Sequence, residues 1–379
     1  MALSRALPME AMPAVRTTVA VARPRLPAAE AIFPYLQRID EGRWYSNFGP
    51  LVCELETRLA DRFAPGTEAV TCTNATQALT LALQAMDLPP GGAVIVPSWT
   101  FVATAHAIMQ AGLVPWFVDV DPETWMLDPT TVVDQAMHLS SDICAVIPVC
   151  AFGQLPDLAA WRAFREETGL PVLIDGAAAF DTLHDARLPV CVSLHATKVL
   201  GIGEGGFMAT DDANFAARFR QLTTYGFKGS RRSLIAATNA KISEYTAAVG
   251  LAALDGWPAD RLRFLRAAQH LRIALVGLPQ VTFQEGWGRD WVTSVCMVGL
   301  PHGSADQVTA ILAEDGIDTR RWWDAGCHAS PAFAHCRRDD LSVTDRLALS
   351  TIGLPFSVDL DADEIARLAT ALSRALART

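Results

Sequence analysis

Lys198 lies in SLHATKVLGIGEGG (193–206), where small and hydroxyl residues lead into an amine and a glycine-rich turn follows it. The chain carries 31 basic side chains but only three lysines, Lys198, Lys228 and Lys241. A chain that writes arginine wherever a cation serves keeps lysine where a primary amine is needed, because only the amine loses its proton and forms an imine. A surface lysine in a chance neighbourhood is the alternative, and the rest of the chain decides. Three more segments carry residues suited to one ligand. In TCTNATQALTLAL (71–83) a strand gives way to a helix, so Asn74, the Ala75 and Thr76 amides and the Thr76 hydroxyl suit a phosphate; an ordinary cap is the alternative. In PSWTFVATAHAI (97–108) Phe101 suits the face of a planar ring, or else simple core. In VLIDGAAAF (172–180) three apolar residues end at Asp175, a carboxylate that is costly to bury unless it meets a cation; a helix cap or turn is its alternative.

These segments need a frame that brings strand ends together. From about residue 67, short β-branched runs alternate with helical stretches, the pattern of parallel strands joined by crossover helices. Strands are expected at 68–72, 93–97, 114–118, 143–149 and 171–174, with further short ones near 191–194 and 205–210 bracketing Lys198. Helices are expected at 75–86, 101–111, 130–138 and 158–167. Beyond Gly250 come an arginine-rich helix over 259–276, a strand over 291–298 and helices over 304–314 and 362–377, which suggests a smaller α+β unit. The fold class is α/β, with ligands held at the carboxyl ends of the strands.

Composition narrows the function classes. At 379 residues with 51% hydrophobic content the chain buries a substantial core. A formal charge of -10 and a pI near 5.3 exclude a dominant nucleic-acid surface, and no polybasic run marks a membrane patch. Eight cysteines form no CxxC pair and read as reduced core residues of a cytoplasmic protein. Cys327, His328, His335 and Cys336 match no zinc spacing, so no metal is expected. The apolar stretch 93–120 is broken by Pro97, Ser98, His106, Gln110 and Pro115, which argues against a membrane span. Residues 1–28, with four arginines among Ala, Pro and Val, read as a flexible arm.

A flat, cationic, phosphorylated ring held by an amine describes pyridoxal phosphate. An aspartate at the pyridine nitrogen keeps the ring protonated, and the protonated ring serves as an electron sink. At this point the order and spelling of the motifs resemble the DegT/DnrJ/EryC1/StrS group of sugar aminotransferases. The resemblance runs from about Tyr35 to the last helix. It covers RWYSNFGPLVCELE (43–56), NATQAL (74–79), PSWTFVATAHAI, FVDVDPETWMLDP (117–129), VIPVCAFGQLPDL (146–158), VLIDGAAAF, the lysine segment and TNAKISEYTAAVGLAAL (238–254).

The resemblance implies the pyridoxal phosphate-dependent transferase fold of type I. That fold has a large domain (29–255) with a mainly parallel seven-stranded sheet flanked by helices, and a smaller C-terminal α+β domain (256–379). Lys198 would be the imine-forming lysine, Asp175 the partner of the ring nitrogen and Phe101 the stacking ring. Asn74, Ala75, Thr76 and Ser193 would bind the cofactor phosphate, completed by Asn239 from the second subunit of a homodimer. Tyr35, Asn47, Tyr225, Lys241, Arg320 and His328 are the candidate substrate contacts, with Trp44, Tyr45, Lys228, Arg321, Trp322 and Trp323 nearby in sequence.

The chain also departs from the family pattern. Ala178 stands where Gln or His is usual, Gly176 replaces an alanine, and Leu194 replaces the phenylalanine before the histidine. Lysine rather than histidine at 198 favours transamination over dehydration. The implied reaction moves an amino group from glutamate to a nucleotide-linked keto-sugar, at C4 of a dTDP-4-keto-6-deoxyhexose. The rivals are a C3 keto-sugar, a cyclitol ketone, and a cofactor-binding regulator without catalysis.

Overall fold

The structure, a computed structural model, describes residues 18–138 and 142–379. In chain order, α1 (Ala29–Gly42) and α2 (Pro50–Ala60) precede β1 (Glu68–Cys72), α3 (Ala75–Ala85), β2 (Ala93–Pro97), α4 (Val102–Gln110) and β3 (Val114–Val118). Then follow α5 (Pro129–His138), β4 (Ile143–Val146), α6 (Leu158–Thr168), β5 (Ile174–Asp175), β6 (Val190–Ser193), β7 (Gly206–Thr210) and α7 (Ala213–Leu222). The remainder holds α8 (Glu244–Ala274), β8 (Thr282–Phe283), β9 (Cys296–Gly299), α9 (Ala305–Glu314), β10 (Arg337–Arg338), α10 (Ser342–Ser350), β11 (Thr351–Leu354) and α11 (Ala362–Leu376).

Two four-stranded sheets, β1-β7-β6-β5 and β10-β3-β2-β4, are joined by parallel bridges from Val146 to Val172 and from Val149 to Asp175. The result is the seven-stranded, mainly parallel sheet that the resemblance implies, with β10 added at one edge. Only β7 runs against its neighbours. A sheet covered on both faces needs continuous apolar strands, and β2 (AVIVP) is buried at every position. Its alternate residues feed opposite sides. Val94 and Val96 pack with Leu79, Ile108 and Phe117, whereas Ile95 packs with Leu55, Trp116 and Leu251. Side-chain caps start the helices: Asn74 for α3, Asp157 for α6, Asp212 for α7, Ser243 for α8, and an Asp361–Glu364 capping box for α11.

A separate core gathers around the antiparallel sheet β11-β9-β8, where Val298, Ile352 and Leu354 meet Leu312, Leu368 and Leu372. The helix expected over 259–276 is instead the second half of the 31-residue α8, which runs straight through the boundary expected at 255. Gly250, Gly256 and Pro258 lie within it, residue types that ordinarily weaken a helix interior. Burial outweighs them, because Leu251, Leu254 and Trp257 pack under the large sheet while Ala268 and Leu271 pack in the C-terminal core. The strand expected over 291–298 is confined to Cys296–Gly299.

The expectation of a flexible arm over 1–28 is corrected where it is described; residues 1–17 lie outside the described residues. Val19 is fully buried and exchanges backbone hydrogen bonds with the 316–318 turn, to Gly316 O and from Asp318 N, both at 2.9 Å. Ala22 bridges Phe356, and Arg23 donates to Glu364 and to the Asp359 carbonyl. The short Val-Ala-Val run lacked the length to announce a strand, and its partners lie about 300 residues away. Among the described residues no helix is long and apolar enough to cross a membrane.

Candidate active site

Asp175 ends β5. Its amide donates to Pro148 O and its carbonyl accepts from Cys150 N, both at 2.9 Å, so the backbone is fixed on the β4 side. The next amide, Gly176 N, donates to Cys191 O on the β6 side. The carboxylate is 4% exposed. Thr104 Oγ1, from the first turn of α4, donates to Oδ2 at 2.7 Å, and Ala177 N donates to Oδ1 at 3.0 Å. Burial raises the carboxyl above its ordinary range, opposed by the two hydrogen bonds and by the Lys198 ammonium. A sequence reading of FVATAHAI passes over Thr104; a hydroxyl among small residues on a buried helix turn is its only signal.

Lys198 sits in the turn between β6 and β7. The turn is closed by Leu194 N to Gly205 O at 2.9 Å, Ala196 N to Gly203 O at 2.7 Å and Ile202 N to Leu194 O at 2.9 Å. Lys198 N donates to His195 O at 2.8 Å. Desolvation lowers the ammonium pKa and the Asp175 charge opposes it. Each member of the pair is thus pushed toward neutrality by burial and held charged by the other. A bound cation beside Asp175 would replace what burial removes, and a lowered amine is a better nucleophile.

The phosphate candidates converge at the base of the same hairpin. Asn74 Oδ1 caps Gln77 N at 2.8 Å, which leaves the Ala75 and Thr76 amides of the first turn pointing out of α3. Ser193 is buried at the end of β6, directly opposite Gly206, which is itself opposite Cys72 at the end of β1. A Cβ on Gly206 would stand 2.7 Å from Ala75 N and 3.0 Å from Val192 O. Only glycine lets β7 pass this close to the helix N-terminus, a cradle that the sequence reading did not single out. Phe101, the residue before α4, is 56% exposed rather than packed in the core. The residues therefore fit pyridoxal phosphate: a buried carboxylate for the ring nitrogen, an amine beside it, a free aromatic face and a helix N-terminus over a glycine.

The other candidates are not all drawn to this point. Asn239 and Lys241 hydrogen-bond to each other, and Lys241 Nζ lies 5.1 Å from the Tyr225 ring centre. Lys241 and Tyr225, with Asn47, Glu68, Arg220, Lys228 and Arg231, border a groove of about 690 Å³ whose lining includes neither Lys198 nor Asp175 nor Asn239. Tyr35 donates to Asp255 at 2.6 Å, where Arg58 also binds, on the outer side of α1, α2 and α8. His328 is tied through Nδ1 to Ser98 Oγ at 2.7 Å and through Nε2 to Asp345 at 3.3 Å, so it pins its loop to the end of β2. Arg320 lies over Trp322, and Trp323 stacks on Phe152 at 3.8 Å beside Trp99. Cys327 donates to Thr100 O at 3.3 Å, away from His328's partners.

Comparison with known proteins agrees with this geometry. The model of the DegT/DnrJ/EryC1/StrS aminotransferase family matches residues 27–373. GDP-perosamine synthase of Caulobacter vibrioides is 30% identical over 380 residues, covering 94% of this chain and 98% of its own. The UDP-2-acetamido-2-deoxy-3-oxo-D-glucuronate aminotransferase of Pseudomonas aeruginosa is 29% identical, covering 86% and 90%. The crystal structure of DesI in the presence of its TDP-sugar product superposes with a TM-score of 0.84 at 34% identity, covering 96% of this chain and 94% of that one. With a family match across nearly the whole chain and a site that fits the cofactor group by group, this protein belongs to the DegT/DnrJ/EryC1/StrS aminotransferase family and is a pyridoxal phosphate-dependent enzyme.

Proposed function

We propose that the enzyme moves an amino group from glutamate to C4 of a dTDP-4-keto-6-deoxyhexose, as a cytoplasmic homodimer with shared active sites. The observation that carries transamination is the half-buried Lys198 of the β6–β7 turn, within electrostatic reach of the buried Asp175 and on the same hairpin as the Gly206 cradle. The sugar reading is supported by the likeness to DesI, whose structure holds a TDP-sugar product. Exposed Trp44, Tyr45, Tyr225, Leu234 and Tyr245 support a covered face, as a dimer would supply.

In this reading the cofactor, when bound, supplies an electron sink for negative charge at the substrate carbon. The protein does the rest. Asp175 holds a positive charge at the ring nitrogen, Phe101 covers one face of the ring, and Asn74, Ala75, Thr76 and Ser193 fix the phosphate. Lys198 Nζ, once released, takes and returns the proton at the substrate carbon that carries nitrogen. Ala178, where the family usually has Gln or His, removes one side-chain contact and leaves a small wall there.

The test is a half-reaction panel. Glutamate should bleach the yellow holoenzyme, and the dTDP-4-keto sugar should restore the colour faster than 3-keto sugars, UDP sugars or cyclitol ketones. Preference for a 3-keto sugar would move the assignment toward the Pseudomonas relative. Colour that persists with every amino donor would sink transamination.

A further inference from the structure

We propose that Thr104, with Thr100 behind it, is a positioning residue that holds the Asp175 carboxylate as an anion for the protonated ring nitrogen of the cofactor. The inference rests on the site being a pyridoxal phosphate site. Thr104 has one proton and three oxygens in reach: Asp175 Oδ2 at 2.7 Å, Thr100 Oγ1 at 2.9 Å and Phe101 O at 3.2 Å. The shortest contact is also the one to a charged acceptor, which makes the stronger bond. Once the Thr104 hydroxyl donates its hydrogen bond to Asp175, Thr100 must be the donor in its contact with Thr104, and the two hydroxyls form a chain ending on the carboxylate.

Both threonines are 1% exposed, so water does not stand in for a lost hydroxyl. The rest of the carboxylate's surroundings is sparse. Ala177 N serves the other oxygen, Lys198 supplies the only opposite charge among the described neighbours, and the Cys150 and Cys191 thiols beside it are buried and neutral. Without the Thr104 hydroxyl, burial would favour the protonated acid, which has no charge to offer a protonated ring. A Thr104 that merely closed its own turn onto Phe101 O would have no such consequence.

The experiment compares how the full chain, stripped of cofactor, binds pyridoxal phosphate and the analogue with carbon in place of the ring nitrogen. Wild type should prefer the natural cofactor. Thr104→Val, which keeps the shape, should shrink that preference by about tenfold or more, and Thr104→Ser should restore it. Thr100→Val should shift it in the same direction by less, and serves alone if Thr104→Val does not fold. Equal weakening for both cofactors, or an unchanged preference in both valine variants, would overturn the proposal. Failure of wild type to prefer the natural cofactor would instead overturn the ring-nitrogen role of Asp175.

Discussion

Arg261 Nε donates to Asp181 Oδ1 at 2.6 Å, and the carboxylate that receives it is only 4% exposed. The same carboxylate accepts Val292 N at 3.0 Å, so a residue six positions beyond Asp175 ties α8 to the strip that leads into β9. Asp181→Ala should cost roughly 2 kcal/mol, chiefly because it leaves the buried Val292 amide without its acceptor, while Arg261, a third exposed, keeps the Asp290 carbonyl. Urea unfolding measures this; a loss below about 1 kcal/mol would mean solvent serves the Val292 amide.

Gly206→Ala tests the cradle. Its new Cβ would meet Ala75 N at 2.7 Å, so β7 must shift or the first turn of α3 must retreat. Affinity for pyridoxal phosphate should fall at least about tenfold, while affinity for pyridoxal, which has no phosphate, should change much less. Equal losses would place the phosphate elsewhere.

Lys198→Ala should fold and bind the cofactor reversibly. After borohydride treatment, mass spectrometry should show cofactor mass on wild type and none on the variant. Labelling of Lys228 or Lys241 instead would reassign the amine.

The pH dependence of covalent capture follows from the direction of the Lys198 shift. Burial lowers its pKa, so the neutral amine persists to lower pH than in free lysine, near 10.4. The rate of capture by the cofactor-free chain should therefore reach its plateau below that pH. Asp175 favours the ammonium, so Asp175→Asn should move the midpoint further down. An upward move would show that the two groups do not face each other.

Val19→Ala should destabilise the chain by about 1–2 kcal/mol in thermal or urea unfolding. A neutral effect would mean that residues 18–22 detach in solution.

The chemistry-bearing types were legible because each breaks a local rule: an aspartate closing an apolar strand, lysine in an arginine chain, an asparagine before a helix. Strands such as AVIVP at 93–97 announced themselves by uninterrupted apolarity, and the structure returns those bounds. What escaped depends on partners distant in sequence. Thr104 is ordinary until Asp175, 71 residues on, is laid beside it. Val19 looks like part of a loose segment until the 316–318 turn supplies its hydrogen bonds. The boundary expected at 255 falls inside α8 because the strip of Leu254 and Trp257 that carries the helix past it gains its energy only from the sheet beneath. Tyr35 and His328 drew attention by type, and each is already committed to an internal partner.

The pairing of Ser193 with Gly206 sets the base of the turn that carries Lys198. Ser193, one of the proposed phosphate contacts, and the Lys198 amine would thus be two points on one β-hairpin, while α3, packed over Gly206, would supply the rest of the seat. Changes in loop length between residues 195 and 204 would alter the reach of the amine while leaving the seat intact. Substrate-facing loops elsewhere are then free to diverge without disturbing how the cofactor is held.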